Sequence, residues 1–479
     1  MNPLQKLIRN VAASLDMRWM PFADAATPDL PLPRLLRLSL FQFSIGVATA
    51  LLVGTLNRVM IVELGVPAWW VALSVALPLA SAPLRALIGF RSDTHRSVLG
   101  LRRLPYLWKG SLLLFGGLAI MPFGLLAVSE PQPGMELFSR FGAGLAFLLV
   151  GMGMQVTQTA GLALATDLAT PETRPRVVAL MYTMLLLGLV GSGMLFGLLL
   201  ADFSPLRLIQ VVQGSAAAVA ILNLNALWKQ ESINRSRAKR SDEGDDADFS
   251  LHWRAYVERP GVKRFLWTVG LGTCAFNMQD IILEPYGGEV LHLGVGATSV
   301  LTALTACGAL LAFAMSARML NRGIDASRLA ALGALAGLPA FAMVIFSAPL
   351  DAPHLFRLGA FLIGLGGGLF SVGTLTMAMD LQVGDSAGMA LGAWGAVQAT
   401  AAGAAVAAGG LVKDGIGALA QAGQLGESLI SPVTGYSFVY HFEMFLLFAV
   451  LVAIGPLSRR LRAGDLVPQR KFGLAELPG

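Results

Sequence analysis

Charge is what this chain of 479 residues has least of. Asp, Glu, Lys and Arg make up 13% of it, about half the roughly 25% of soluble domains. That shortage excludes an ordinary water-soluble surface. Cysteine is scarce as well: Cys274 and Cys307 are the only two, both lie in apolar runs where packing is their role, and they say nothing about redox compartment. The five histidines, His95, His252, His292, His354 and His441, fall in or beside loops, and no Cys and His spacing suits a metal. No glycine loop ends in Lys with Ser or Thr, and there is no nucleophile elbow. GLGGGLF at 364–370 imitates a dinucleotide fingerprint but sits inside an apolar run without a flanking strand. Packing accounts for it, and the chain does not read as an enzyme.

What is present is apolar length. Hydrophobic residues make up 55% of the chain and the mean hydropathy is +0.66. A bilayer core needs about 20 apolar residues per helical span. Twelve such segments can be placed: 35–62, 69–90, 105–128, 138–166, 177–201 and 207–228, then 264–290, 296–320, 328–348, 354–380, 387–412 and 437–457. Their Gly and Ala content suits helices that approach closely, whereas a β-barrel would need short alternating segments. The expected fold is an all-α, twelve-helix multi-pass membrane protein.

Of the 35 Lys and Arg, 29 lie at alternate connections if both termini are cytoplasmic, a strong positive-inside bias. Spread in this way, the +6 net charge describes topology and not a nucleic-acid surface. Residues 1–34 form an N-terminal arm in which Leu4, Leu7, Ile8, Val11 and Leu15 share one helical stripe, as for a helix lying along the cytoplasmic interface. Residues 229–261 are first basic, then acidic, and read as a flexible cytoplasmic linker. They separate a six-helix half at 35–228 from a second at 262–458, followed by a cytoplasmic tail at 459–479.

The halves resemble each other. Gly151, Gly153 and Asp167 recur as Gly364, Gly366 and Asp380 at a constant offset of 213, and ELGVPAWWVALSVAL from Glu63 matches HLGVGATSVLTALTA from His292 at an offset of 229. Two six-helix repeats of the same orientation, joined by a long cytoplasmic linker, are the parallel repeat of the major facilitator superfamily, with a site between the halves near mid-membrane. The second loop, GFRSDTHRSVLGLRR at 89–103, places Gly89, Asp93 and Arg96 like the loop signature of that superfamily. There the glycine permits close helix approach, and the aspartate meets a basic residue or a helix end. A purely topological role for this charge is the alternative. The eighth loop repeats it weakly as ARMLNRG, with Asn321 in place of the aspartate.

Longer blocks carry a closer resemblance. PFADAATPDLPLPRLLRLSLFQ, GTLNRVMIVELGVPAWWVAL, RALIGFRSDTHRSVLGLRRLPYLW, GGLAIMPF, TQTAGLALATDL and NMQDIILEPYGGEVL resemble the PucC and LhaA family, the bacteriochlorophyll-delivery branch of the facilitator superfamily in purple photosynthetic bacteria. The resemblance implies an assembly factor for a light-harvesting antenna complex, with the core-antenna (LhaA) type favoured over the peripheral (PucC) type by the PFADAATPDLPL opening. It implies bacteriochlorophyll a as cargo and antenna α and β polypeptides as partners. Further partners would be the reaction centre and bacteriochlorophyll synthase, and the setting the bacterial inner, intracytoplasmic photosynthetic membrane. A conventional facilitator that moves a small solute or lipid is the competing reading.

In a facilitator fold the first, fourth, seventh and tenth spans line the cavity, and all four are polar here. Candidate ligand or partner contacts are Asn57 and Arg58, Gln155 and Gln158, then Gln279, Asp280, Glu284 and Tyr286. Ionisable groups at such depth default to function. Asp280 and Glu284, four apart, share a helix face, and a pair between Arg58 and Glu284 across the pseudo-twofold is expected, either as a tie between the halves or as a ligand contact. Pro285, Gly287 and Gly288 should break or bend the seventh span just beyond.

Overall fold

The computed structural model describes residues 30–80, 103–129, 136–170, 173–230, 261–380 and 387–463, with 26, 27, 134 and 258 besides. Among these, twelve main helices alternate in direction through one bundle. In the first half they are α1 (Leu32–Thr49), α2 (Ala68–Ala80), α3 (Leu104–Ser129), α4 (Glu136–Leu168), α5 (Arg174–Leu199) and α6 (Pro205–Leu227). In the second they are α7 (Val262–Asn277), α8 (Val295–Asn321), α9 (Ala326–Ser347), α10 (Pro353–Asp380), α11 (Ala387–Gln421) and α12 (Val433–Ala463). Ten stretches of the described residues are long and apolar enough to cross a membrane, among them Leu32–Glu63, which carries α1 onward. No strand occurs among the described residues. Most of the N-terminal arm, most of the linker and the Gly89, Asp93 and Arg96 loop lie outside the described residues, as does the side chain of Asp380.

Two helices depart from regular winding, and both are central. Beyond Thr49, α1 continues through π-helical turns at Ala50–Leu56 and Val59–Glu63. After Asn277, α7 gives way to a 3₁₀ turn at Met278–Ile281 and then to a short helix at Leu283–Glu289. The break thus falls ahead of Pro285, at the polar run Asn277–Asp280, and Pro285 sits in the first turn of the new helix, where its missing N–H removes no helical bond. Elsewhere proline is absorbed by neighbours. Pro456 inside α12 leaves Val452 O without its helical donor, and Arg264 of α7 donates to Val452 O (3.5 Å) and Ala453 O (3.0 Å) instead.

The halves meet along two seams, α2 with α11 and α5 with α8. The repeat makes these equivalent, because α2 corresponds to α8 and α5 to α11. Close approach along the second seam rests on GSGMLFG. A Cβ at Gly193 would stand 2.9 Å from Ala303 N, and one at Gly197 2.6 Å from Val300 Cγ2. The repeated glycines serve within each half: Gly153 of α4 abuts the α3 backbone at Leu114, and Gly366 of α10 abuts the α9 backbone at Gly333. At the ends near the linker, Arg34 and Arg37 of α1 donate to Gln230 O (2.6 Å) and Trp228 O (2.8 Å) beyond α6. Arginine is well placed there against terminal helix carbonyls.

Filling the seam should therefore destabilise the bundle while filling a lipid-side glycine should not. Gly193→Leu is expected to cost about 1–3 kcal/mol by overpacking. Gly142→Ala, whose Cβ meets nothing within 4 Å, should hold or slightly raise stability through helix propensity. Thermal unfolding of both variants in detergent checks the ranking.

Candidate functional site

The polar residues of α1 and α7 converge where both helices lose regular winding. An interrupted helix exposes backbone groups that lipid cannot satisfy, so side chains from other spans must. Gln279 N donates to Glu443 Oε1 of α12 (2.8 Å), and Asp280 O accepts from Asn57 Nδ2 of the π-wound stretch (3.3 Å). Gln279 Nε2 donates to Phe276 O (3.3 Å) and to Asp280 Oδ1. Asn57 also donates to Val53 O of its own turn. One residue from each half thus closes the break. Asn57, Gln279 and Glu443 are all buried, and each keeps one side-chain oxygen with no partner among the described residues.

Glu284 lies one step further along. Its Oε1 accepts from the Thr302 hydroxyl of α8 (2.6 Å) and presses on Gly54, where a Cβ would stand 2.5 Å from that oxygen. The expected Arg58–Glu284 pair is not what forms. Arg58 makes its ion pair with Glu63, five residues along its own span, and donates to Leu293 O ahead of α8 (3.0 Å). The π-helical winding is the reason: at 3.6 residues per turn, residues five apart point to different sides, whereas the wider turn of Val59–Glu63 brings them together. The guanidinium rests on Gly288, where a Cβ would stand 2.9 Å from Nη2. Arg58 is therefore a tie between the halves. Thr55 and Ser299 (3.0 Å) make a second, deeper one.

The other candidates separate. Tyr286 is fully buried among Phe356, Tyr436 and Tyr440, each ring centroid 5.5 Å away, and donates to Val344 O (3.2 Å); it packs the second half and faces no cavity. Gln155 is buried on α4 and Gln158 half-buried. Neither lines the central cavity, a space of about 210 Å³ walled by α7, α8, α10 and α11 of the second half. Its polar lining is Asn277, Gln279, Asp280, Ser371 and Gln398, and the glycines Gly364, Gly367 and Gly368 line it beside Phe276 and Phe370. The GLGGGLF motif is thus part packing, part cavity lining. At the far end of α4, Asp167 meets Arg103 (3.0 Å), so one arginine of the charged second loop has a definite carboxylate partner.

Sequence reasoning passed over Glu443, Thr302 and Glu63. Glu443 carried a usable signal, a lone carboxylate inside the apolar run HFEMFLLFAV, to which the rule applied to Asp280 and Glu284 applies equally. Thr302 and Glu63 carried none, since a threonine in an apolar helix and a glutamate at a helix end are common.

A thermodynamic cycle separates the two arrangements of Arg58. Arg58→Gln with Glu63→Gln should show an interaction of about 0.5–3 kcal/mol, as groups in contact do, and Arg58→Gln with Glu284→Gln a smaller one. The reverse order, measured by thermal or denaturant unfolding in detergent, would restore the direct Arg58–Glu284 pair.

Comparison with known proteins agrees with this architecture. The family described as PUCC protein matches residues 55–461. A Rhodobacter capsulatus protein described as "Uncharacterized protein in puhA-bchM intergenic region" is 52% identical over 98% of this chain and 99% of its own. Protein PucC of Rhodovulum sulfidophilum is 52% identical over 87% of this chain and 92% of its own. The "Bacteriochlorophyll synthase 44.5 kDa chain" of Rhodobacter capsulatus is 28% identical over 89% and 96%. Among solved structures, a bacterial homologue of the lysosomal transporter Spinster, inward-facing and unoccupied, superposes with TM-score 0.68 at 15% identity, over 91% of this chain and 98% of that one. The nucleoside transporter NupG gives 0.63 at 14%, over 88% and 100%. Two repeated six-helix halves, two equivalent seams and these likenesses lead to one assignment: the chain has the major facilitator fold and belongs to the PucC family.

Proposed function

We propose that the protein is an assembly factor for a light-harvesting antenna complex, of the core-antenna type, which binds or delivers bacteriochlorophyll and docks antenna α and β polypeptides in the intracytoplasmic photosynthetic membrane, with both termini cytoplasmic. The observation that carries the reading is end-to-end similarity, at about half identity, to family members of which three are named PucC. A further relative, at 28%, has bacteriochlorophyll in its name. The core-antenna preference rests on the PFADAATPDLPL opening of the chain.

The geometry limits how pigment would be handled. A cavity of about 210 Å³ is below the roughly 300–1,000 Å³ of ordinary small-molecule sites. A tetrapyrrole is larger still. In this reading the macrocycle stays on the lipid side of the bundle, and the amide-bearing lining at Asn277, Gln279 and Gln398 meets at most a ring substituent. The reaction centre and bacteriochlorophyll synthase are further proposed partners. The role is non-enzymatic: the chain's contribution is to hold, orient and release.

Deleting the gene should selectively lower the near-infrared antenna absorbance while reaction-centre polypeptides are still made, because a delivery factor is needed while a ring is built and not after it closes. The wild-type gene in trans should restore the band. Unchanged antenna bands in a strain with no other family member would overturn the reading. Solute uptake by the purified, pigment-free protein in vesicles would favour a conventional facilitator.

A further inference from the structure

The larger cavity lies away from the central polar break. It opens at the α2–α11 seam, at the end shared by the α1–α2, α7–α8 and α11–α12 connections, and measures about 610 Å³, within the range of small-molecule sites. Its walls are apolar, from Pro67, Leu411, Ala418 and Pro432, with Trp69 at the rim. Gly415 and Gly417 leave one side bare, and a Cβ at either meets nothing within 4 Å.

One face carries a charged knot. Lys413 Nζ stands 3.4 Å from Asp414 Oδ1, 3.7 Å from Glu289 Oε2 and 4.8 Å from the centre of the Tyr436 ring. Each carboxylate is fixed from a second side. Tyr436 donates to Glu289 Oε2 (2.8 Å), and Trp69 N donates to Asp414 Oδ2 (2.8 Å), so Asp414 of the second half caps the first turn of α2. One ammonium and two carboxylates leave a formal charge of −1. Glu289 Oε1 has no hydrogen bond among the described residues, and the ammonium of Lys413 lies between two carboxylates and the face of the Tyr436 ring.

We propose that this seam cavity binds a phospholipid with a primary-amine headgroup. The lipid ammonium donates to Glu289 Oε1 and faces Asp414, the phosphate lies against the Lys413 ammonium, and the acyl chains run along Leu411 and Ala418 in the seam. Charge complementarity selects this occupant. A choline head has no N–H to give Glu289, and an anionic glycerol head meets a knot that is already net negative. A water-soluble amine would leave the apolar walls unfilled. Because the seam joins the two halves, a lipid seated in it would favour the arrangement described here. The inference does not depend on the antenna reading.

The test uses the purified full-length protein in detergent, titrated with phosphatidylethanolamine, phosphatidylcholine or phosphatidylglycerol and followed by native mass spectrometry and thermal unfolding. Phosphatidylethanolamine should bind at least about five-fold more tightly than either other lipid, roughly 1 kcal/mol, and raise the melting temperature most. Glu289→Gln, which keeps an acceptor for Tyr436, and Gly417→Leu, whose Cβ meets nothing within 4 Å and whose side chain fills the cavity, should both lose that preference while melting as wild type does in the absence of lipid. If Gly417→Leu does not fold, Gly415→Leu asks the same question. Equal binding of all three lipids, or an intact preference in the cavity-filling variant, would overturn the proposal.

Discussion

Inside a bilayer, a helix that unwinds must find partners for its freed backbone groups or not unwind at all, and the interruption of α7 at Asn277–Ile282 is where this protein meets that demand. Glu443 of α12 takes the N–H of Gln279 and Asn57 of α1 gives to the carbonyl of Asp280. The break is therefore built from three helices and both halves. Much of the central polarity follows: Asp280 and Gln279 line the cavity because the 3₁₀ turn holds them there, and Glu284 is carried onto α8 by the short helix that resumes afterwards.

The same economy appears at the end of the bundle where α1–α2, α7–α8 and α11–α12 connect. Arg58 reaches Leu293 O from the first half, and Asp414 reaches Trp69 N from the second. Both use a charged side chain to satisfy backbone in the opposite half, and charge-assisted bonds of this kind are the stronger sort. Together with the α2–α11 and α5–α8 seams and the Thr55–Ser299 contact, they join the halves.

The sequence was informative about what repeats and what is costly, and silent about local winding. Twelve apolar runs and the constant offset between Gly153 and Gly366 foretold the two halves, and those glycines do the same task against α3 and α9. The cost of burying charge pointed to Asp280 and Glu284 at the centre. The partner of Arg58 could not be read, because it depends on a π-helical turn that no residue in VMIVE announces; with ordinary winding Glu63 would face elsewhere. Tyr286 stood among the candidate ligand or partner contacts, yet the rings of Phe356, Tyr436 and Tyr440, brought by α10 and α12, draw it into packing. Contacts that join distant helices, such as Glu443 with Gln279, have no local pattern at all.

Hydrogen–deuterium exchange across residues 277–289 of the full-length protein, compared between wild type, Glu443→Ala, Glu443→Gln and Asn57→Ala, tests the central claim most directly. If side chains of α1 and α12 hold the break, Glu443→Ala and Asn57→Ala should raise exchange in that segment selectively. Glu443→Gln, whose amide oxygen still accepts from Gln279 N, should stay near wild type. Unchanged protection in both alanine variants would mean that α7 keeps its interruption unaided, which contradicts the account.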